Sequence, residues 1–186
     1  MLVLQRRQLE FGRAASPTLT FQVGTGIVAL AAMVLWLQVL GRPVLCPCGI
    51  VQLWGPNHDS QHVSDWYSLL HLSFGLGLYV LIARFQPRWP LSLQVLVALF
   101  GSVTWEAIEN LPAVIAMFNA GGSQDYSGDT ILNALGDTVF VISGCLLAAR
   151  LSTRAIVSVA AAIEATTWFA INDSIVVGAA RLLAGT

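Results

Sequence analysis

The chain has 186 residues, of which 56% are hydrophobic and only 10% charged, against about 25% charged in an ordinary soluble domain. Nine arginines and no lysine stand beside ten acidic residues, for a formal charge of −1. That balance excludes a basic nucleic-acid-binding surface, the apolar content excludes a disordered chain, and three cysteines are too few for a secreted disulfide scaffold.

What remains is an all-α polytopic transmembrane helix bundle, one domain over residues 1–186, whose first partner is the lipid bilayer. A bilayer core of about 30 Å needs about 20 apolar residues as helix, and five runs meet that requirement. The first, 21–40, is free of charge and is ended by Gly41, Arg42 and Pro43. It follows Arg6, Arg7 and Arg13 without a small-x-small cleavage site after it, so it reads as an uncleaved signal anchor. The second, 66–83, is closed by Arg84 and Pro87, and the third, 91–110, meets Pro112 as an end or a kink. The fourth, 130–149, is closed by Arg150. The fifth, 153–182, is too long for one upright crossing at 1.5 Å per residue, so part of it must tilt or leave the hydrocarbon.

Arginine sets the orientation. With the N-terminus cytoplasmic, Arg6, Arg7, Arg13, Arg84, Arg88, Arg150 and Arg154 all face inward and only Arg42 and Arg181 face outward, the positive-inside pattern of a multi-pass membrane protein. The acids then divide the other way. Glu10 is cytoplasmic and Glu164 falls in the inner part of the fifth span. Asp59, Asp65, Glu106, Glu109, Asp125, Asp129, Asp137 and Asp173, with His58, His62 and His71, collect at the periplasmic end. Eight carboxylates facing two arginines call for compensation by protons, a metal, a cationic substrate or a partner chain.

Four groups of residues carry candidate chemistry. Asp129, Asn133 and Asp137 recur every four residues and form one polar stripe on the fourth span. Asp129 also suits an N-cap after Ser127-Gly128. Asp137 lies about 12 Å deeper, where an ionised carboxylate is costly unless paired or watered, which favours a functional role; a protonated Asp hydrogen-bonded to a neighbouring helix is the alternative. Glu106 and Glu109 share a helix face, either as a solvated helix end or as a carboxylate pair for metal bridging or acid–base work. His58, His62 and Asp65 converge if their segment is helical, a nitrogen and oxygen set suited to zinc, iron or manganese. His71 sits further into the second span, as a hydrogen-bonded structural residue, a metal ligand, or an axial ligand to a macrocycle. Finally, Cys46-Pro47-Cys48 lies in the loop after the first span, where a disulfide or a metal role is open. Cys145 reads as a buried apolar thiol, and Asn172-Asp173 either closes the acidic cluster or is interfacial.

The combination Ser60-Gln61-His62-x-x-Asp65-Trp66-Tyr67, then His71, then Trp105-Glu106-x-x-Glu109-Asn110, then Asp125-Tyr126-x-Gly128-Asp129-x-x-x-Asn133-x-x-x-Asp137 resembles a family of small bacterial inner-membrane proteins of unknown function. Cys46-Pro47-Cys48-Gly49 and Leu53-Trp54 fit the same pattern. The resemblance covers about residues 40 to 150. Its pattern carries a second His three residues after His71, where this chain has Phe74. More distantly, the layout is similar to VanZ-like membrane proteins, which implies recognition of a lipid-linked or envelope ligand at the outer face.

These readings assemble into a polar outer-facing cavity between the second, third and fourth spans that binds a divalent metal or a polar headgroup. His62, Asp65 and His71 are its expected metal ligands. Glu106, Glu109 and Asp129 are expected to complete the shell or act as catalytic bases, with Asn133 and Asp137 behind them. The rival reading is an accessory or assembly subunit of a larger respiratory or photosynthetic membrane complex, the surplus acids facing basic residues of a partner. A site needs these groups around one point; a docking surface needs them spread outward.

Overall fold

The computed structural model of the chain describes residues 18–120 and 126–184. The expectations placed on Arg6, Arg7, Glu10, Arg13 and Asp125 lie outside these residues. Among the described residues the regular elements are seven helices: α1 Leu19–Val39, α2 Trp66–Phe85, α3 Leu91–Glu109, α4 Pro112–Ala120, α5 Ile131–Ala148, α6 Thr153–Ile171 and α7 Ile175–Ala184. Five of them (α1, α2, α3, α5 and α6) are long and apolar enough to cross a membrane.

Local chemistry sets the boundaries. Asp65 starts α2 through a capping box, its carboxylate accepting from the Tyr67 and Ser68 backbone while the Ser68 hydroxyl accepts from the Asp65 N–H. Thr130 caps α5 by accepting from the Asn133 N–H at 3.1 Å, and Ser152 caps α6 from Ala155. Pro112 does more than end α3. It occupies the first position of α4, where a missing N–H costs nothing.

The fifth span departs from the sequence expectation in one way. The run 153–182 is divided in two at Asn172, whose left-handed backbone (φ 54°) terminates α6. Glu164 then caps α7, its carboxylate accepting from the Ile175 and Val176 N–H groups at 3.3 and 3.1 Å. Glu164 therefore belongs to the half of α6 nearer this break, not to the half that begins at Thr153.

Helix α5 is the centre of the bundle. Over half of its spanning window (56%) is buried, compared with 17–33% for the other four, and its most extensive partner is α2. Glycine makes that closeness possible. A Cβ on Gly75 of α2 would lie 2.0 Å from the Val141 carbonyl oxygen, and one on Gly144 of α5 would lie 2.1 Å from that of Leu72. The two backbones thus touch directly, as small residues permit between membrane helices. One apolar cluster (Met33, Leu37, Ile131, Ala134) joins α1 to the start of α5. Another (Leu76, Ala148, Ile156) joins α2, α5 and α6 towards the opposite end.

The loops interlock at the acidic end. The Thr130 N–H donates to Ser60 O at 2.9 Å, and Ile131 and Leu132 donate to Pro43 and Val44. Gln61 Nε2 donates to Gly128 O at 3.1 Å. The Arg42 guanidinium donates to the Ser127 and Asn110 carbonyls. The chain between α1 and α2 is thereby locked onto the segment before α5, and this mesh frames the site.

Candidate functional site

Three helices carry one buried polar cluster. His71 projects from α2, Glu106 from α3 and Asp137 from α5, and the imidazole lies between the two acids. Its Nδ1 is 3.5 Å from Glu106 Oε1 and its Nε2 is 3.7 Å from Asp137 Oδ2. Glu106 is 0% exposed and His71 8%. Neither carboxylate oxygen of Glu106 has a hydrogen-bond partner, nor does His71 Nδ1 or Asp137 Oδ1. Buried polar atoms are ordinarily satisfied, so this cluster has unused capacity for donors or a cation.

Glu109 sits one turn beyond Glu106 on the same face. One ligand atom each from His71, Glu106 and Glu109 lies within 4.8 Å of the others. Glu109 is partly exposed and lines a cleft of about 610 Å³. Leu70, Trp105, Phe118 and Ile175 form apolar parts of the cleft wall, while His58, Asp59, Tyr126, Asp173 and Arg181 supply polar ones. Arg181 is already engaged by Asp173 at 3.6 Å and by Asn172 O at 2.9 Å.

Asp129 is held beside this cluster. Tyr126 Oη is 3.0 Å from Asp129 Oδ1 and 3.2 Å from Glu109 Oε1. The hydroxyl has a single proton to give, so it fully serves only one of the two carboxyl groups. Burial raises the Tyr126 phenol far above its ordinary range, helped by Asp129 and Glu109, which keeps it a neutral donor. Burial also raises the Asp129 carboxyl, against the hydrogen bonds from Asn110, Ser60 and Tyr126 and the nearby Arg42 charge. Asp129 is not the cap of α5; Thr130 is.

The expected ligand set is redistributed. His71, Glu106 and Glu109 come together. Asp65 is spent on capping and on the Ser60 N–H at 2.5 Å. Its burial pushes the carboxyl up to about 6 in spite of those bonds. His62 lies elsewhere, its ring stacked on His58 at a centroid distance of 5.4 Å. The 58–62 segment is built of turns, with Ser60 in a left-handed conformation (φ 63°), instead of the helix that would bring both imidazoles to Asp65. Asn133 donates to His62 O at 3.0 Å and so anchors the loop; Asp137 stands directly behind His71. Phe74, in place of the second His of the resemblance pattern, packs near Trp105 with ring centroids 6.5 Å apart.

Residues 37–184 match the family model described as "Protein of unknown function (DUF2585)". The chain belongs to the DUF2585 family. Relatives bearing the name "UPF0314 protein" include one from Brucella anthropi, 35% identical over 84% of this chain and 82% of the relative. One from Novosphingobium aromaticivorans is 39% identical over 77% and 78%, and one from Sphingopyxis alaskensis is 34% identical over 87% of each. No solved structure matches the chain.

Two residues of this DUF2585 protein's site escaped the sequence reading. Tyr126 joins Glu109 to Asp129, and Asn110 clamps Asp129. Both stood within the motif segments, yet neither carries a charge that marks it. Only their contacts reveal what they do.

Proposed function

We propose that this DUF2585 protein is a bacterial inner-membrane protein that holds a divalent metal ion with His71, Glu106 and Glu109. The ion would face the cleft, where a polar headgroup of an envelope ligand would sit. The observation that carries the reading is Glu106, wholly buried with both carboxylate oxygens unpartnered. An ionised carboxylate in that setting is costly without a cation or a proton.

The donor chemistry supports a metal. One imidazole and two carboxylates suit zinc, manganese or iron(II). The 3.5 Å from His71 Nδ1 to Glu106 Oε1 matches the ~3.4 Å edge of a tetrahedron with bonds of about 2.1 Å. Asp137 on the far nitrogen completes a carboxylate–histidine–metal arrangement, in which the acid fixes the ring and its tautomer. Three protein ligands would leave a further position for a bound ligand, the pattern of sites that act on one, and Glu109 lines the cleft. Asp129 and Tyr126, beside Glu109, would be the general base and its proton donor for a hydrolytic or transfer step. The enclosure of these acids within the bundle favours this reading over a docking surface for a partner subunit. Because Arg84, Arg88, Arg150 and Arg154 cluster at the opposite end, the cleft would open to the periplasm.

The test is elemental analysis of the full chain, purified in mild detergent without chelators. Stoichiometric zinc, manganese or iron is expected in the wild type and a near-complete loss in E106Q and H71N. D137N, which spares the ligands, is expected to weaken affinity by about tenfold or more. A wild-type protein that takes up none of the three ions on titration would overturn the proposal, as would an E106Q variant with undiminished metal.

A further inference from the structure

A second group of ligating side chains lies outside that cluster. Cys46 and Cys48 form a disulfide. The ligand atoms of Cys46, Cys48, His58 and His62 all lie within 4.8 Å of one another. His62 is 1% exposed, and its Nδ1 has no hydrogen-bond partner. Cys46 is likewise buried, while Cys48 and His58 are exposed, so the group is open to solvent on one side.

The fold holds this group in place. Gly55 leaves room for the His62 ring: a Cβ there would lie 2.1 Å from His62 Cδ2. The Gly55 N–H donates to Ser64 O at 2.9 Å and the Val63 N–H to Gln52 O at 3.1 Å, which pins the strip bearing His62. Asn133 of α5 holds the His62 carbonyl. Pro43 and Val44, just before Cys46, are tied to the start of α5. Both halves of the group are therefore fastened to one helix. The cap of α2 is made by Asp65 and Ser68 without the His62 Nδ1.

We propose that Cys46, Cys48, His58 and His62 form a zinc site that exists only when the disulfide is reduced. A dithiol donor gives two electrons and two protons to the Cys46–Cys48 bond. Two thiols form here and one disulfide forms on the donor. Zinc then displaces the two thiol protons and is held by two thiolate sulfurs and two imidazole nitrogens. Two sulfurs and two nitrogens make a closed tetrahedral set. Opening the disulfide frees the side chains to rotate to the ~3.8 Å sulfur separation of a zinc dithiolate with bonds of about 2.3 Å. Exchange with a disulfide oxidant reverses the step: the Cys46–Cys48 bond re-forms, the oxidant is reduced to two thiols, and the zinc ion leaves. Because His58 also lines the cleft, occupancy of this site ties one cleft wall to the thiol state of the loop.

The experiment uses the full chain in detergent with Cys145 replaced by Ala, so that only two thiols report. Cobalt(II), the spectroscopic stand-in for zinc, is titrated before and after reduction with a phosphine. The reduced protein is expected to bind one more equivalent than the oxidised protein and to gain a thiolate-to-cobalt charge-transfer band, which zinc removes. C46S/C48S should abolish both the band and the extra equivalent. H62N should abolish the band or weaken cobalt affinity by at least tenfold with both thiols still titratable, which separates loss of a ligand from loss of fold. E106Q should keep the band, which separates this site from the cluster around His71. Equal cobalt uptake in the two redox states would overturn the proposal. A band of undiminished affinity in an H58N/H62N variant would overturn it too.

Discussion

Asn110 and Asp129 are joined by two hydrogen bonds of opposite sense. Asn110 Nδ2 donates to Asp129 Oδ2 at 2.5 Å, and the Asp129 N–H donates to Asn110 Oδ1 at 2.9 Å. The remaining amide hydrogen reaches Glu106 O at 3.1 Å. One neutral side chain at the end of α3 thus fixes both the backbone and the carboxylate that precede α5. N110A strands a buried acceptor and a buried N–H. Its expected cost is about 1–3 kcal/mol, read as a lowered unfolding midpoint in detergent. A midpoint within error of the wild type would show that the clamp carries no stability.

The contact between α2 and α5 is similarly testable. G144A places a methyl against the Leu72 carbonyl, which is backbone and cannot swing away. The helices must separate, with an expected loss of about 1–3 kcal/mol or more. The gain in helix propensity from replacing Gly, about 1 kcal/mol, opposes that loss and is the smaller effect, because the Leu72 oxygen 2.1 Å from the new methyl is backbone. Thermal unfolding decides it: a G144A variant more stable than the wild type would contradict the close approach.

Asp65 should leave a signature in the pH dependence of stability. Its carboxyl titrates at about 6 when folded, against an ordinary 3.8. The folded state therefore keeps a proton that the unfolded state releases. This contribution is fully present below about pH 4 and is lost as pH rises through 6. Burial is the main cause of the shift and the Asp59 charge adds to it; the Ser60, Tyr67 and Ser68 N–H groups oppose it. Relative to D65N, which cannot ionise, the wild type should lose stability on the order of 3 kcal/mol between pH 4 and 7. Parallel stability curves for the two proteins over that range would refute the assignment.

Much of the architecture was legible in the residue order. Apolar runs bounded by Arg84, Pro87 and Arg150 became α2 and α5 nearly as expected, because burying about 20 apolar residues in lipid leaves the backbone no alternative to helix. Asp137, conspicuous for its depth, proved to stand beside His71. The division at Asn172 was less visible, since its left-handed turn is stabilised by partners on both sides: Glu164 on α6 and Arg181 on α7.

The residue order by itself determined the membrane helices and the gathering of acids and imidazoles at one end of the bundle. These follow from hydropathy and the alternation of crossings. Which side chains meet was decided by the tertiary structure alone. His71 and Glu106 are distant in sequence and touch because α3 packs beside α2, whereas His62 and Asp65, close neighbours of His71 in the chain, are drawn off by the turn at Ser60 and the cap of α2. Proximity within a helix is set by its repeat. Proximity between helices is set by rotation and closeness of packing, which here rest on the bare backbones of Gly75 and Gly144.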